Sequence, residues 1–217
     1  MTFVEEMIDA VEDLWDSFLE HPFIVEMSQG TLPENKMMHY LIEDSLFLKE
    51  YVRVCAIGIF KSENTEQMDY FTTTINGILK GEYALRDSYL LKFGIKEADL
   101  VHMTSSKENQ AYANYLMQTA LEGDLPEIFA ALFPCILSYY HIGKQLVQQD
   151  PECLNRKYGE VISEYISDIA NEACLISIKH INKLCNNLDL QQKKKLVTIC
   201  RESSLYERDF WNMAYDI

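Results

Sequence analysis

Apolar residues in this chain recur at spacings of three and four almost from end to end, and no stretch alternates residue by residue over the length of a strand. That periodicity points to amphipathic helices. With only 8 glycines and 5 prolines among 217 residues, the helices must be long and the connections short. No repeat period and no dividing linker interrupt the pattern, so residues 1–217 read as one all-α domain.

Punctuation along the chain sets the expected elements. Thr2 with Glu5 forms a capping box, and Met7, Ile8, Val11, Leu14, Trp15 and Phe18 line one face of a first helix. His21-Pro22-Phe23 breaks it, a short segment runs to Gly30, and Pro33 opens a long helix through about Phe60 as a first-turn proline. A third element spans about Asn64 to Phe93 and stops at Gly94; Gly77 and Gly81 inside it read as points of close helix packing. A helix carrying Tyr112, Tyr115 and Leu116 stops near Gly123. Asp124 with Glu127 and Pro126 then starts a helix that ends before Asp150-Pro151. Two more helices are expected, from about Asn155 to Asn186 and from Asp189 to about Tyr215.

The formal charge is −15 and the sequence pI about 4.7. Phosphate backbones are held by clustered Lys and Arg. The one dense basic run, Lys193-Lys194-Lys195, reads as a solvated helix face, so no nucleic-acid partner is expected and an anionic membrane surface would repel the chain. No stretch approaches the roughly 18 consecutive apolar residues of a membrane span. The six cysteines show no CxxC spacing, and Met1 leads into an amphipathic segment rather than a signal sequence. Free thiols in a reducing cytoplasm are the expectation.

Three polar features stand out against this apolar pattern. Cys135 directly follows Pro134 inside the run Ala131-Leu132-Phe133-Pro134-Cys135-Ile136-Leu137, and an interior proline costs a helix about 3 kcal/mol. Ser138 and Tyr139 share the thiol's face. Asp44 falls on the stripe of Leu41, Phe47, Leu48 and Tyr51, where a carboxylate needs a partner, for instance on a neighbouring helix. Glu207 shares a face with Ser203, Ser204, Phe210 and Trp211; the plain alternative for it is an ion pair with Arg208 or a surface position.

With these residues in view, the chain resembles the TenA family, also called thiaminase II or aminopyrimidine aminohydrolase. The resemblance runs through His21-Pro22-Phe23, Gly30-Thr31-Leu32-Pro33, Glu43-Asp44-Ser45, Tyr112-Ala113-Asn114-Tyr115, Leu132-Phe133-Pro134-Cys135 and Phe210-Trp211-Asn212-Met213-Ala214-Tyr215. It implies a haem-oxygenase-like helical fold, a homotetramer, no cofactor, and hydrolysis of a bond on the 5-methylene carbon of 4-amino-2-methylpyrimidines, the substrate being a small aminopyrimidine or thiamine. By the same resemblance Cys135 is the nucleophile, Glu207 the acid that engages the pyrimidine ring, and Asp44 the carboxylate beside the thiol and its local base. Tyr112, Tyr139 and Tyr165 correspond to pocket tyrosines. Phe47 stands where many members have tyrosine; it keeps an aromatic face and loses a hydroxyl.

Other classes fit less well. None of the five histidines has Glu three residues before it, as a di-iron carboxylate site would require, and His21 before a proline reads as structural rather than as a haem ligand. A non-catalytic regulator or ligand-binding protein on the same fold is the remaining alternative.

Overall fold

The computed structural model describes residues 2–217, apart from the side chains of Ala84 and Leu85, and no strand occurs among the described residues. Helix α1 (Phe3–Asp9) opens on the expected box, in which Thr2 N donates to Glu5 Oε2 at 2.7 Å and Glu5 N donates to Thr2 Oγ1 at 3.3 Å. The single first helix expected from the periodicity is two. At Val11 the backbone leaves the helical basin (φ −125°, ψ −6°), and α2 (Glu12–Phe18) restarts from its carbonyl, which accepts from the amides of Leu14 and Trp15. Helix α3 (Pro22–Gln29) is capped by His21 Nδ1, which accepts from Phe23 N, and ends on Gly30 in the left-handed region at φ 71°. Helix α4 (Glu34–Lys61) follows Pro33, which sits at the cap rather than in the first turn.

The expected 64–93 element keeps its path but not its winding. It comprises α5 (Thr65–Gly77), a π-helical stretch (Ile78–Glu82) and α6 (Tyr83–Lys92), with Gly94 turning the chain at φ 79°. Gly77 and Gly81 do not mark close packing, because a Cβ at either would meet open space. The close contacts are elsewhere. A Cβ on Gly58 would lie 2.5 Å from the Phe71 ring, and one on Gly143 would lie 2.8 Å from Tyr165 and Ile166.

A short helix not expected from the sequence, α7 (Glu97–Leu100), precedes α8 (Lys107–Glu122), which Ser106 caps. Helix α9 (Leu125–Gln149) carries Pro134 within its length. A 3₁₀ stretch (Pro151–Asn155) then leads into α10 (Gly159–Tyr165), α11 (Asp168–Cys185) and α12 (Leu190–Tyr215). The expected helix over 155–186 is therefore interrupted. Ser167 Oγ accepts from Ala170 N at 3.1 Å, an N-cap that starts α11 afresh.

Helix α9 packs against α12, α11, α10, α8 and α2, while α4 lies against α8, α5 and α6. By length and composition α9 is the one described helix that could cross a membrane, but most of it is buried within the protein. The buried apolar side chains form one contiguous cluster that reaches from Phe3 to Ala214. Glu43, which is buried, ties α4 to the start of α8: its carboxylate accepts from Ser106 N, Ser106 Oγ and Asn109 Nδ2, and its carbonyl accepts from the same amide. The 193–195 run lies mostly in solvent, as its charge required.

Candidate active site

The helices α4, α8, α9 and α12 each bring polar groups to a common region inside the apolar core. Helical spacing puts Cys135 and Tyr139 on one side of α9, Glu207 and Ser203 on the facing side of α12, Tyr112 on α8, and Asp44 with Phe47 on α4. Glu207 and Tyr112 are each 1% exposed. Cys135 is half-buried. Two surface clefts, of about 200 and 450 Å³, are lined by other residues: the first by Glu66, His180 and Lys183 and the second by His39, Asp209 and Asp216.

Glu207 is the hub. Tyr112 Oη lies 2.8 Å from its Oε1 and 3.0 Å from Ser203 Oγ, and Ser203 Oγ donates to the Ala131 carbonyl at 2.6 Å. Tyr139 and the Cys135 thiol also face the Glu207 carboxyl closely enough to favour its ionised form. Burial raises this carboxyl to about 7; hydrogen bonds to its ionised form from Tyr112, Tyr139 and Cys135 oppose that rise, and the Asp44 charge adds to it. The plain alternatives for Glu207 do not hold, since it is buried and Arg208 lies 3.7 Å from Asp209 instead.

Burial also pushes the Cys135 thiol well above its ordinary range, and the charges of Glu207, Asp44 and Glu82 push it the same way. The resting sulfur is therefore a thiol. Of the charges that act on it, Glu207 comes first and Asp44, to which the sequence reading pointed, second.

Asp44 is occupied differently. Arg86 of α6 donates through Nε to Asp44 Oδ2, and its Nη1 lies 3.5 Å from both Glu82 and Glu164. Burial alone would lower the Arg86 guanidinium; Asp44, Glu82 and Glu164 more than offset it and hold Arg86 charged. Burial raises Glu164 to about 7 despite Arg86. A buried Asp bonded to a neighbouring helix and an Asp near the thiol are thus the same residue. The sequence reading did not identify Arg86, although a lone arginine three and four residues from Tyr83 and Glu82, inside an apolar stripe with Tyr89 and Leu90, is a recognisable signal.

The aromatic positions close the site. Phe47 stacks on Tyr112 at 4.7 Å and meets Phe210 at 5.8 Å. Tyr139 packs on Trp211 at 5.2 Å and edge-to-face on Tyr165, also at 5.2 Å. Tyr165 reaches this place because Gly143 has no side chain to block it, and its hydroxyl lies 3.2 Å from that of Tyr40, which stacks on Trp211. All seven residues singled out from the sequence lie within this one assembly. Tyr51, one turn beyond Phe47, and Ser138, one turn beyond Cys135, have buried hydroxyls without a hydrogen-bond partner among the described residues. No group of three or more His, Cys, Asp or Glu side chains among the described residues is arranged to hold a metal ion. Both nitrogens of His21 are engaged, by Phe23 N and by Asn212 Oδ1.

An all-helical fold that encloses a thiol, a proton-retaining carboxyl and a wall of tyrosines defines a class of small-molecule site built for covalent or acid–base chemistry. The chain belongs to the TENA/THI-4/PQQC family, whose model matches residues 8–217. It is 30% identical over 216 residues to the aminopyrimidine aminohydrolase of Halalkalibacterium halodurans, a match covering 100% of this chain and 96% of that one. A solved TenA family transcription regulator from Silicibacter sp. superposes with a TM-score of 0.89 at 26% identity, covering 99% of this chain and 97% of the other. The fold is haem-oxygenase-like: haem oxygenase-1 from Synechocystis sp. superposes with a TM-score of 0.65 at 11% identity, over 98% and 92% of the two chains.

Proposed function

We propose that this protein is an aminopyrimidine aminohydrolase of the thiaminase II type, which hydrolyses the bond between the 5-methylene carbon of a 4-amino-2-methylpyrimidine and its nitrogen substituent in thiamine salvage. The observation that carries this reading is the buried Glu207 carboxyl, bonded to Tyr112, able to hold a proton near pH 7 and facing the Cys135 thiol.

A neutral pyrimidine is a poor electrophile at C6. The Glu207 proton, given to a ring nitrogen, makes C6 attackable and leaves a carboxylate beside the thiol. That carboxylate accepts the thiol proton as Cys135 sulfur bonds to C6, so the negative charge never stands unpaired on a buried sulfur. Electrons of the adduct expel the 5-methylene substituent, an amine leaving as ammonia with the proton that Glu207 took from the thiol. Water then adds its oxygen to the exocyclic methylene and gives a proton to Glu207. The C6–sulfur bond breaks, Cys135 takes that proton back from Glu207, and the ring nitrogen returns its own to Glu207 as the ring recovers its aromaticity. Asp44, held by Arg86, is placed to accept from the exocyclic amine and fix the ring, and Phe47 and Tyr112 offer faces for stacking. In this reading Asp44 orients and Glu207 moves protons.

The whole of residues 1–217 acts as one domain, a role for which the single contiguous core is suited, and works as a homotetramer in the cytoplasm, where its six free cysteines stay reduced. The test is ammonia release from 4-amino-5-aminomethyl-2-methylpyrimidine. Wild-type protein should release it, and Cys135→Ser should fold normally and lose at least about 10²-fold in rate. A folded wild-type protein that releases no ammonia would refute the reading in favour of a non-catalytic ligand-binding protein.

A further inference from the structure

Three hydrogen bonds run in series from the carboxyl to the backbone: Glu207 to Tyr112 (2.8 Å), Tyr112 to Ser203 (3.0 Å) and Ser203 to the Ala131 carbonyl (2.6 Å). Each needs its own proton. The carbonyl can only accept, so the Ser203 proton is committed to Ala131, in the turn that Pro134 interrupts. Ser203 can then only accept from Tyr112, which commits the tyrosine's single proton. The remaining bond can be made only if Glu207 donates. With Glu207 ionised there are two protons for three bonds, and two lone pairs face each other inside a core where an unmade bond is costly.

We propose that Ser203 is a positioning residue which, through Tyr112, orients the hydrogen-bond chain so that Glu207 retains its proton. This deepens the reading above, since it supplies the protonated acid that ring activation requires. An ordinary tyrosine–carboxylate contact would do the opposite, because a tyrosine that donates stabilises the carboxylate. Tyr112 can stabilise the ionised Glu207 in that way only by giving up its bond to Ser203; while Ser203 takes the tyrosine's proton, the polarity is reversed and Glu207 donates. The other titratable groups facing Glu207 are Cys135 and Tyr139 from α9 and Asp44 from α4, the last paired with Arg86. None of them contacts Ser203 in the chain described.

The test reads the carboxyl itself, apart from turnover. The protonated carboxyl band of Glu207, assigned by its loss in Glu207→Gln, is titrated by infrared difference spectroscopy. Ser203→Ala frees Tyr112 to donate to the carboxylate, so the midpoint should fall by about one pH unit, the scale of one hydrogen bond made selectively to one protonation state. Ser203→Thr, which keeps the hydroxyl, should titrate as the wild type does. In a Tyr112→Phe background the Ser203→Ala shift should vanish, because the relay is already cut. If the alanine variant does not fold, Ser203→Cys carries the same measurement: a thiol donates weakly to Ala131 and the midpoint should still move down. An unmoved midpoint in the folded variant, or an equal shift without Tyr112, would overturn the relay and leave Ser203 a structural cap on α9. Ammonia release by the wild-type protein is read separately: release with an unmoved midpoint refutes the relay alone, and a moved midpoint without release refutes the aminohydrolase reading alone.

Discussion

Glu207 spends folding free energy to be useful. Its carboxyl titrates near 7 in the folded protein, against 4.5 for an ordinary glutamate. Between those values the folded protein keeps a proton that the unfolded chain has already released, so this residue makes stability fall as pH rises through the window, and the penalty is complete above it. The size is about 3 kcal/mol at most. Glu207→Gln, which cannot ionise, should therefore be nearly isoenergetic with wild type at about pH 4.5 and more stable at about pH 8. Thermal melts of the two proteins across that range check it; parallel curves would mean that Glu207 ionises in its ordinary range. Burial raises the Cys135 thiol as well, and the charges of Glu207 and Asp44 add to the rise. Asp44 is the contrasting case, a buried carboxylate that Arg86 meets with an opposite charge.

Helices α4 and α5 show how the frame is held. Gly58 on α4 meets the face of the buried Phe71 ring on α5, at a distance that leaves no room for a methyl group. Gly58→Ala gains about 1 kcal/mol of helix propensity but incurs an overpacking cost of about 1–3 kcal/mol, so it should lower the melting temperature. Gly77→Ala has the same propensity gain with open space around it, at a helical φ of −58°, and should raise it. Calorimetry of the pair checks both signs. The π-helical stretch after Gly77 has a different consequence. It ends at Glu82, four residues before Arg86, so the change of winding sets which face of α6 turns toward Asp44. The proline of α9 belongs at this scale too: Ala131, one turn before the thiol, has its carbonyl bound by Ser203 rather than left to the backbone alone.

For the whole molecule, the surface retains several large apolar side chains. Phe60 is 87% exposed at the end of α4, beside Leu121 at the end of α8, whose carbonyl accepts from Lys61 at 2.9 Å. Ile169, Leu175 and Leu91 are exposed elsewhere. The proposed homotetramer predicts that association covers some of these side chains. Light scattering is expected to give about four times the 25.3 kDa chain mass; a mass of one chain across micromolar concentrations would refute the tetramer.

Helix class, most helix starts and the chemical types at the site were legible in the sequence, because caps, periodicity and an interior proline act over four residues or fewer. Thr2, Asn64, Ser106, Asp124 and Asp189 stand at helix starts as their side-chain chemistry dictates. Cys135, Asp44 and Glu207 could be singled out because polar groups on apolar stripes are expensive to bury without a purpose. The breaks at Val11 and Ser167 and the π turn were not legible, since each resolves a competition between local propensity and the packing of distant helices. Nor was the partner of each buried charge. Whether Asp44 faces Cys135 or Arg86, and whether Glu207 has a tyrosine that gives or takes a proton, depends on side chains from helices 40 to 95 residues away in the chain. Pairing energies inside the core are set by tertiary distance and by the count of protons, and neither is written in any local pattern of residues.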